Sequence, residues 1–203
     1  MTSSIYNMKQ ELRKEKLHAR RSLAPEFRIS ADHAILERLE SLPEVQGATV
    51  IAAYASDGTE PDLMPLLKRA AQAGKKICLP RWRQDSTYEM AVADADFTLV
   101  EGKWKMPEPP PEAPAVPDSV LQNALWLIPG VAFDEKCGRL GRGKGIYDRF
   151  LAVHEGAMIG IFYECQKTAV LPVESHDQPL DLVVTEKEIY RRFSDSNTMK
   201  EKE

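Results

Sequence analysis

The amino-acid sequence predicts an α/β fold, a three-layer α/β/α sandwich on a mainly parallel central sheet. Three observations predict it. Short apolar runs rich in strand-formers recur at residues 49–54, 76–80, 125–129, 158–162 and 182–185, and runs without polar alternation mark strands buried on both faces. Helical periodicity fills several of the intervals between them. One helix-length crossover separates the first two runs, as a parallel pair requires.

The elements follow in order. Residues 4–23 read as a helix with Ile5, Met8 and Leu12 on one side, while Lys9, Arg13, Lys14, Lys16, Arg20 and Arg21 crowd the rest. Pro25 opens a second helix, in which Ile35, Leu39 and Leu42 recur at helical spacing until Pro43. TVIAAY (49–54) is the first strand, and the polar stretch 55–60 is a loop. Leu63, Leu66, Leu67, Ala70 and Ala71 then form one face of a helix that stops at Gly74. KICLP (76–80) is the second strand, and 87–92 and 97–100 suit shorter strands at a sheet edge or in a side hairpin. Six of the fourteen prolines fall within 104–118, so this stretch is expected to be extended surface chain without regular structure. LWLIP (125–129) is a strand that runs through 130–134 into a glycine-rich stretch. Residues 145–154 read as a helix with Ile146, Phe150 and Leu151 inward. MIGIF (158–162) is another buried strand and LVVT (182–185) is expected to be the last. Residues 1–193 form a single domain and 194–203 a polar tail.

Composition narrows the function. A net charge of −4 gives no bulk reason to bind nucleic acid or an anionic membrane. No apolar run approaches the roughly 20 residues of a membrane span. The cysteines, Cys78, Cys137 and Cys165, are odd in number and lack CxxC spacing, which argues against a disulfide framework or a zinc site and fits a reducing compartment. The basic N-terminus has some transit-peptide character, but Glu11, Glu15 and its continuity with the next helix argue for a cytoplasmic protein. His18, His33, His154 and His176 show no metal-ligand spacing, and neither a GxSxG elbow nor a cysteine with a base partner is visible.

Chemistry concentrates in 138–145, where four glycines alternate with Arg139, Arg142 and Lys144 between a strand and a helix. Glycines allow positive φ and let backbone N–H groups approach an anion. The helix start adds its dipole, and the cations add forked donors for phosphate oxygens. In open α/β sheets ligands bind beyond the carboxyl ends of strands, where this loop falls. It is neither a Walker A motif nor a Rossmann fingerprint, and the plainer reading is a flexible connector with solvated charges. Asp148 could hold Mg²⁺ against phosphates, or be a first-turn acid favoured by the dipole. Asp177 could be a second metal carboxylate or a turn residue ahead of Pro179. Glu60, beyond the first strand, could accept hydrogen bonds from a ligand's amine and amide groups, or simply start a helix beside Pro61. Lys9 and Arg13, at i and i+4, could reach one anion or face solvent.

Together these stretches resemble the 5-formyltetrahydrofolate cyclo-ligase family, also called methenyltetrahydrofolate synthetase. The resemblance covers nearly the whole chain. It includes Lys9-x-x-Leu12-Arg13, Tyr54 with Glu60-Pro61-Asp62, Leu79-Pro80-Arg81 and Pro129-Gly130-Val131-Ala132-Phe133-Asp134. Its specific core is Arg139-Leu140-Gly141-Arg142-Gly143-Lys144-Gly145-Ile146-Tyr147-Asp148-Arg149, followed by Ile159-Gly160, Cys165-Gln166, Leu171-Pro172-Val173-Glu174, Asp177 and Val183-Val184-Thr185.

The resemblance implies ATP- and Mg²⁺-dependent closure of 5-formyltetrahydrofolate to 5,10-methenyltetrahydrofolate with release of ADP and phosphate. In the family's mechanism the formyl oxygen attacks the γ-phosphate, N10 attacks the resulting imidate phosphate, and phosphate leaves as the ring closes. Alignment and charge neutralisation matter more in such chemistry than a protein nucleophile. By position, Lys9, Arg13 and Arg139, Leu140, Gly141, Arg142, Gly143, Lys144, Gly145, Ile146 and Tyr147 would bind ATP, with Arg142 and Lys144 catalytic. Asp148 and Asp177 would ligate Mg²⁺. Ala55, Glu60 and residues 142–146 would meet the folate, Glu60 through its pterin. The family usually places two aromatics before the aspartate, whereas Ile146-Tyr147 stand here, so aliphatic contact replaces stacking and bears on folate affinity or polyglutamate preference. The implied fold is related to the sugar-phosphate isomerase and CoA-transferase folds, and the implied partner is a small molecule bound by a monomer. The competing readings are a sugar-phosphate isomerase or small-molecule kinase on a similar sheet, and a non-catalytic nucleotide- or RNA-binding module.

Overall fold

A computed structural model describes residues 2–192 apart from 86, 94–95, 144, 152–154, 173 and 175–176; the side chains of 2–4, 148 and 149 also lie outside the described set. The chain opens with α1 (Thr2–Arg21) and α2 (Pro25–Ser41), the latter started by a first-turn proline and burying Ala31, Ile35, Leu36 and Leu39. Pro43 starts a further turn, α3 (Pro43–Gly47), that periodicity did not announce. Then come β1 (Val50–Ala52), α4 (Met64–Gln72), β2 (Lys76–Trp82), β3 (Tyr88–Val92), β4 (Val100–Glu101), β5 (Pro107–Glu108) and α5 (Asp118–Leu121). The remainder is β6 (Leu125–Pro129), β7 (Ala132–Phe133), β8 (Arg139–Leu140), α6 (Ile146–Leu151), β9 (Met158–Ile161), β10 (Leu182–Val184) and β11 (Ile189–Arg191).

Seven strands form the central sheet in the order β11-β10-β9-β6-β1-β2-β3. The inner five are parallel, and β3 and β11 close the edges antiparallel. Ile51 registers with Ile77, Ala52 with Trp126, and Leu127 with Ile159. Alternation along the strands then builds two cores. Ile51, Ile77, Leu79, Leu127 and Ile159 face α2 and α4, whereas Ala52, Cys78, Trp126, Ile128 and Val183 face the side of Leu121 and Leu151. Both faces are covered, which is why these strands read as unbroken apolar runs.

Three expectations are corrected. Residues 182–185 are not the last strand, because Ile189–Arg191 returns beside them with Val183 opposite Tyr190. Residues 104–118 are not without regular structure. Lys103–Lys105 make a 3₁₀ turn and Pro107–Glu108 pair with Val100–Glu101, a hairpin that proline tolerates because it is an edge. Ile146 does not point into the core; it lines a cavity, while Leu151 is buried. The end of the helix expected over 145–154 and the tail 194–203 lie outside the described residues.

Candidate active site

From β1 the chain order runs outward to β2 on one side, and from β6 to β9 and β10 on the other. The β1–β6 pair is therefore the topological switch point, where connections diverge and leave a crevice beyond the carboxyl ends. A cavity of about 260 Å³ opens there. Tyr54, Ala55 and Glu60 reach it from beyond β1, Pro80 from β2, and Pro129 and Gly130 from β6. Helix α1 adds Lys9 and Arg13; the glycine stretch adds Arg139 through Gly143 and Gly145 through Tyr147. Trp104, Met106, Pro107 and Glu108 close another side from the β4–β5 hairpin.

Pairing of Phe133 with Arg139 launches the glycine stretch back over the sheet. Gly143 and Gly145 adopt left-handed φ values of +87° and +62°. Arg13 braces the turn: its Nε donates to the Gly141 carbonyl at 2.9 Å, and a Cβ on Gly143 would lie 3.3 Å from its guanidinium carbon. Arg139 donates to the Pro129 carbonyl at 3.4 Å and lies 5.7 Å from the Tyr147 ring centre. Helix α6 carries Asp148, whose side chain is outside the described residues, as is the whole of Lys144.

Glu60 is buried, and Arg142 Nη2 reaches its Oε1 at 3.0 Å. Arg142 also pairs with Asp57. Beneath both acids lies Arg20, fully buried, donating to Glu60 Oε1 at 3.4 Å, to Asp57 Oδ2 at 3.4 Å and to the Gly130 carbonyl at 3.2 Å. Burial pushes the Glu60 carboxyl above its ordinary value, with Arg142 opposing and Asp57 adding to the rise. Burial would also raise Asp57, but hydrogen bonds from Thr59 and Arg142 prevail and hold it well below the usual carboxylate range. Burial, then Glu60, push the Tyr54 and Tyr147 phenols far up, so both are neutral hydroxyls.

Lys9 is turned toward acids. Its Nζ lies 2.7 Å from Glu174 Oε2 and 2.8 Å from Asp177 Oδ2. Burial would lower its pKa, but the hydrogen bonds to Asp177 and Glu174 outweigh burial and raise it. Among the described residues no three metal-ligating side chains are gathered around one point.

The cavity is thus lined by a cationic, glycine-rich loop, by apolar residues and by three carboxylates, Glu60, Glu108 and Asp177. A model of the 5-formyltetrahydrofolate cyclo-ligase family matches residues 5–186. The chain belongs to that family. It is 33% identical over 177 residues to the 5-formyltetrahydrofolate cyclo-ligase of Escherichia coli strain K12, covering 84% of this chain and 96% of that protein. Identity to the Mycolicibacterium smegmatis cyclo-ligase is 32%, over 88% of this chain and 94% of that one. The solved Aquifex aeolicus 5,10-methenyltetrahydrofolate synthetase superimposes with a TM-score of 0.81 at 33% identity, over 92% of this chain and 94% of its own. A Mycoplasma pneumoniae 5,10-methenyltetrahydrofolate synthetase, at 24% identity, shares the fold with a TM-score of 0.69, over 88% of this chain and 98% of its own.

In this cyclo-ligase family member the structure brings Lys9, Arg13, Ala55, Glu60, Arg139, Leu140, Gly141, Arg142, Gly143, Gly145, Ile146, Tyr147 and Asp177 onto one cavity. Sequence reasoning missed Asp57, Arg20 and the hairpin wall. Asp57 carried a signal: its Oδ1 accepts from the Thr59 and Glu60 N–H groups, the turn that Asp-Gly-Thr favours. Arg20 carried none among six cations of one helix. Glu108 had only its setting in a proline run; its Oε2 accepts from the Trp82 N–H at 2.9 Å.

Proposed function

We propose that the protein cyclises 5-formyltetrahydrofolate to 5,10-methenyltetrahydrofolate at the expense of ATP, releasing ADP and phosphate. One observation carries the reading: the loop suited to a triphosphate and a buried carboxylate suited to a pterin are the walls of a single cavity. ATP phosphates would lie against the N–H groups of 140–145, with Arg13, Arg139, Arg142 and Lys144 balancing charge. The pterin's amine and amide N–H groups would donate to Glu60, beside Ala55 and Ile146. The formyl oxygen would then face the γ-phosphate, and Arg142, bound to Glu60, would stand between the two substrates, where charge develops in transfer; Lys144, two residues along the chain, would share that role.

Mg²⁺ fits the donor chemistry, since one hard carboxylate oxygen each from Asp177 and Glu174 already meets the Lys9 ammonium. Asp177, with Asp148, would hold the ion, which when bound offsets phosphate charge. The chain would act as a monomer in the cytoplasm on folate with or without a polyglutamate tail, and neither nucleic acid nor membrane is a partner in this reading. Among the described residues no helix is long and apolar enough to cross a membrane.

The test mixes protein, 5-formyltetrahydrofolate, Mg²⁺ and ATP and follows methenyl-folate absorbance. Product should form only with ATP and release phosphate; absence of ATP-dependent product at high enzyme concentration overturns the reading. Lys144→Ala and Asp148→Ala should each abolish turnover while the protein remains folded.

A further inference from the structure

Helix α1 offers two cations to the cavity, and they are held differently. Arg13 is bound to the loop backbone through Gly141. Lys9, with a side chain only 9% exposed, is bound to two acids, and the Glu174 N–H also donates to Asp177 Oδ2 at 2.8 Å. Glu174 and Asp177 therefore converge on one point, and the Asp177 N–H donates to the Glu174 carbonyl at 3.0 Å. The Lys9 ammonium brings one charge to two carboxylates. A divalent ion with a preference for oxygen would neutralise both through the same oxygens. Lys9 and Asp177 line the cavity with Arg139 and Arg142, so a phosphate on the loop would compete with the acids for Lys9.

We propose that Glu174 and Asp177 form one cation seat, filled by Lys9 in the nucleotide-free protein and yielded to the divalent metal when phosphates draw the ammonium away. The inference rests on the proposed ATP and Mg²⁺ site. It adds Glu174 as a metal-side carboxylate and gives Lys9 a second role, as placeholder. A filled seat lowers apparent metal affinity by the fraction of molecules whose seat is free. Metal therefore binds weakly alone and tightly with nucleotide, and by reciprocity nucleotide binds more tightly with metal. Lys9 also offsets the mutual repulsion of the Glu174 and Asp177 carboxylates that it bridges.

The test uses the full chain without nucleotide and Mn²⁺ as probe, followed by the loss of its free-ion paramagnetic resonance signal. Lys9→Met should bind Mn²⁺ about 10-fold or more tightly than wild type, and adding Glu174→Gln or Asp177→Asn should remove that gain. Mn²⁺ should also raise the Tm of Lys9→Met more than that of wild type. Should Lys9→Met melt too low to assay, Lys9→Gln serves in its place. A neutral residue at position 9 that leaves Mn²⁺ affinity unchanged, or a gain that survives Glu174→Gln, overturns the placeholder. Equilibrium dialysis of ATP with and without Mg²⁺ separates the two readings. If Asp177→Asn keeps the full Mg²⁺-dependent gain in ATP binding, the metal assignment itself fails and the placeholder fails with it. If that gain is lost while position 9 has no effect on Mn²⁺, only the placeholder fails.

Discussion

Arg142 Nη2 and Glu60 Oε1 are 3.0 Å apart, so the loop proposed to hold phosphate is docked on the carboxylate proposed to hold the pterin. The two halves of the site are thereby coupled. Among the influences on Glu60, Arg142 is the largest that opposes burial.

Arg142→Met should therefore drive the Glu60 carboxyl further up. Hydrogen-bond acceptance by ionised Glu60 is present above its pKa and lost as pH falls through it. The variant should lose folate affinity at a higher pH than wild type does. Equilibrium binding of 5-formyltetrahydrofolate, without turnover, measured between roughly pH 5 and 8 checks this; superimposable profiles would show that Glu60 does not meet the substrate as an anion.

Asp57 carries a stability prediction of opposite sign. Its folded pKa is depressed, so its contribution is complete above the unfolded value of about 3.9 and is lost as pH falls below that value toward the folded one. Asp57→Asn keeps an Oδ1 for the Thr59 and Glu60 N–H groups but loses the charge facing Arg20 and Arg142. It should cost about 1–3 kcal/mol at pH 7, and the gap from wild type should narrow below about pH 4. Urea unfolding at both pH values measures it, and a gap independent of pH contradicts it.

Gly143→Ala tests the loop. The φ of +87° and the 3.3 Å approach to Arg13 make any side chain costly there. A left-handed alanine costs about 1–2 kcal/mol, which should appear mainly as roughly tenfold weaker ATP binding, with Tm little changed. Unchanged ATP affinity in a binding titration would mean that the turn is not shaped by the nucleotide.

The thiols should be nearly inert. Burial pushes Cys78 up to about 12, and burial with Asp134 pushes Cys137 up to about 11. At pH 8 iodoacetamide should modify partly exposed Cys165 first and leave the other two until the chain unfolds. Peptide mass mapping of the native and urea-treated protein reads this directly; early labelling of Cys78 would contradict the packing of β2.

The parallel sheet was legible because its cause is local. Residues 125–129 and 158–162 are covered on both faces, and that demand writes itself into consecutive apolar positions. The glycine stretch was legible for a similar reason: positive φ at Gly143 and Gly145 is a requirement on single residues. Residues 104–118 were not. Their prolines report only that the chain cannot sit inside a sheet, whereas their place at the cavity depends on Glu108 meeting Trp82, 26 residues earlier.

By itself, then, the sequence determined the layer order, the phosphate-suited loop and the family to which the chain belongs. Tertiary structure alone decided that Arg20, of the six cations on α1, would be the one buried beneath Glu60 and Asp57, and that Lys9 would meet Glu174 and Asp177. Those pairings join residues up to 168 positions apart. Helical periodicity reports which face a side chain shares, but the charge waiting opposite that face belongs to a distant part of the chain.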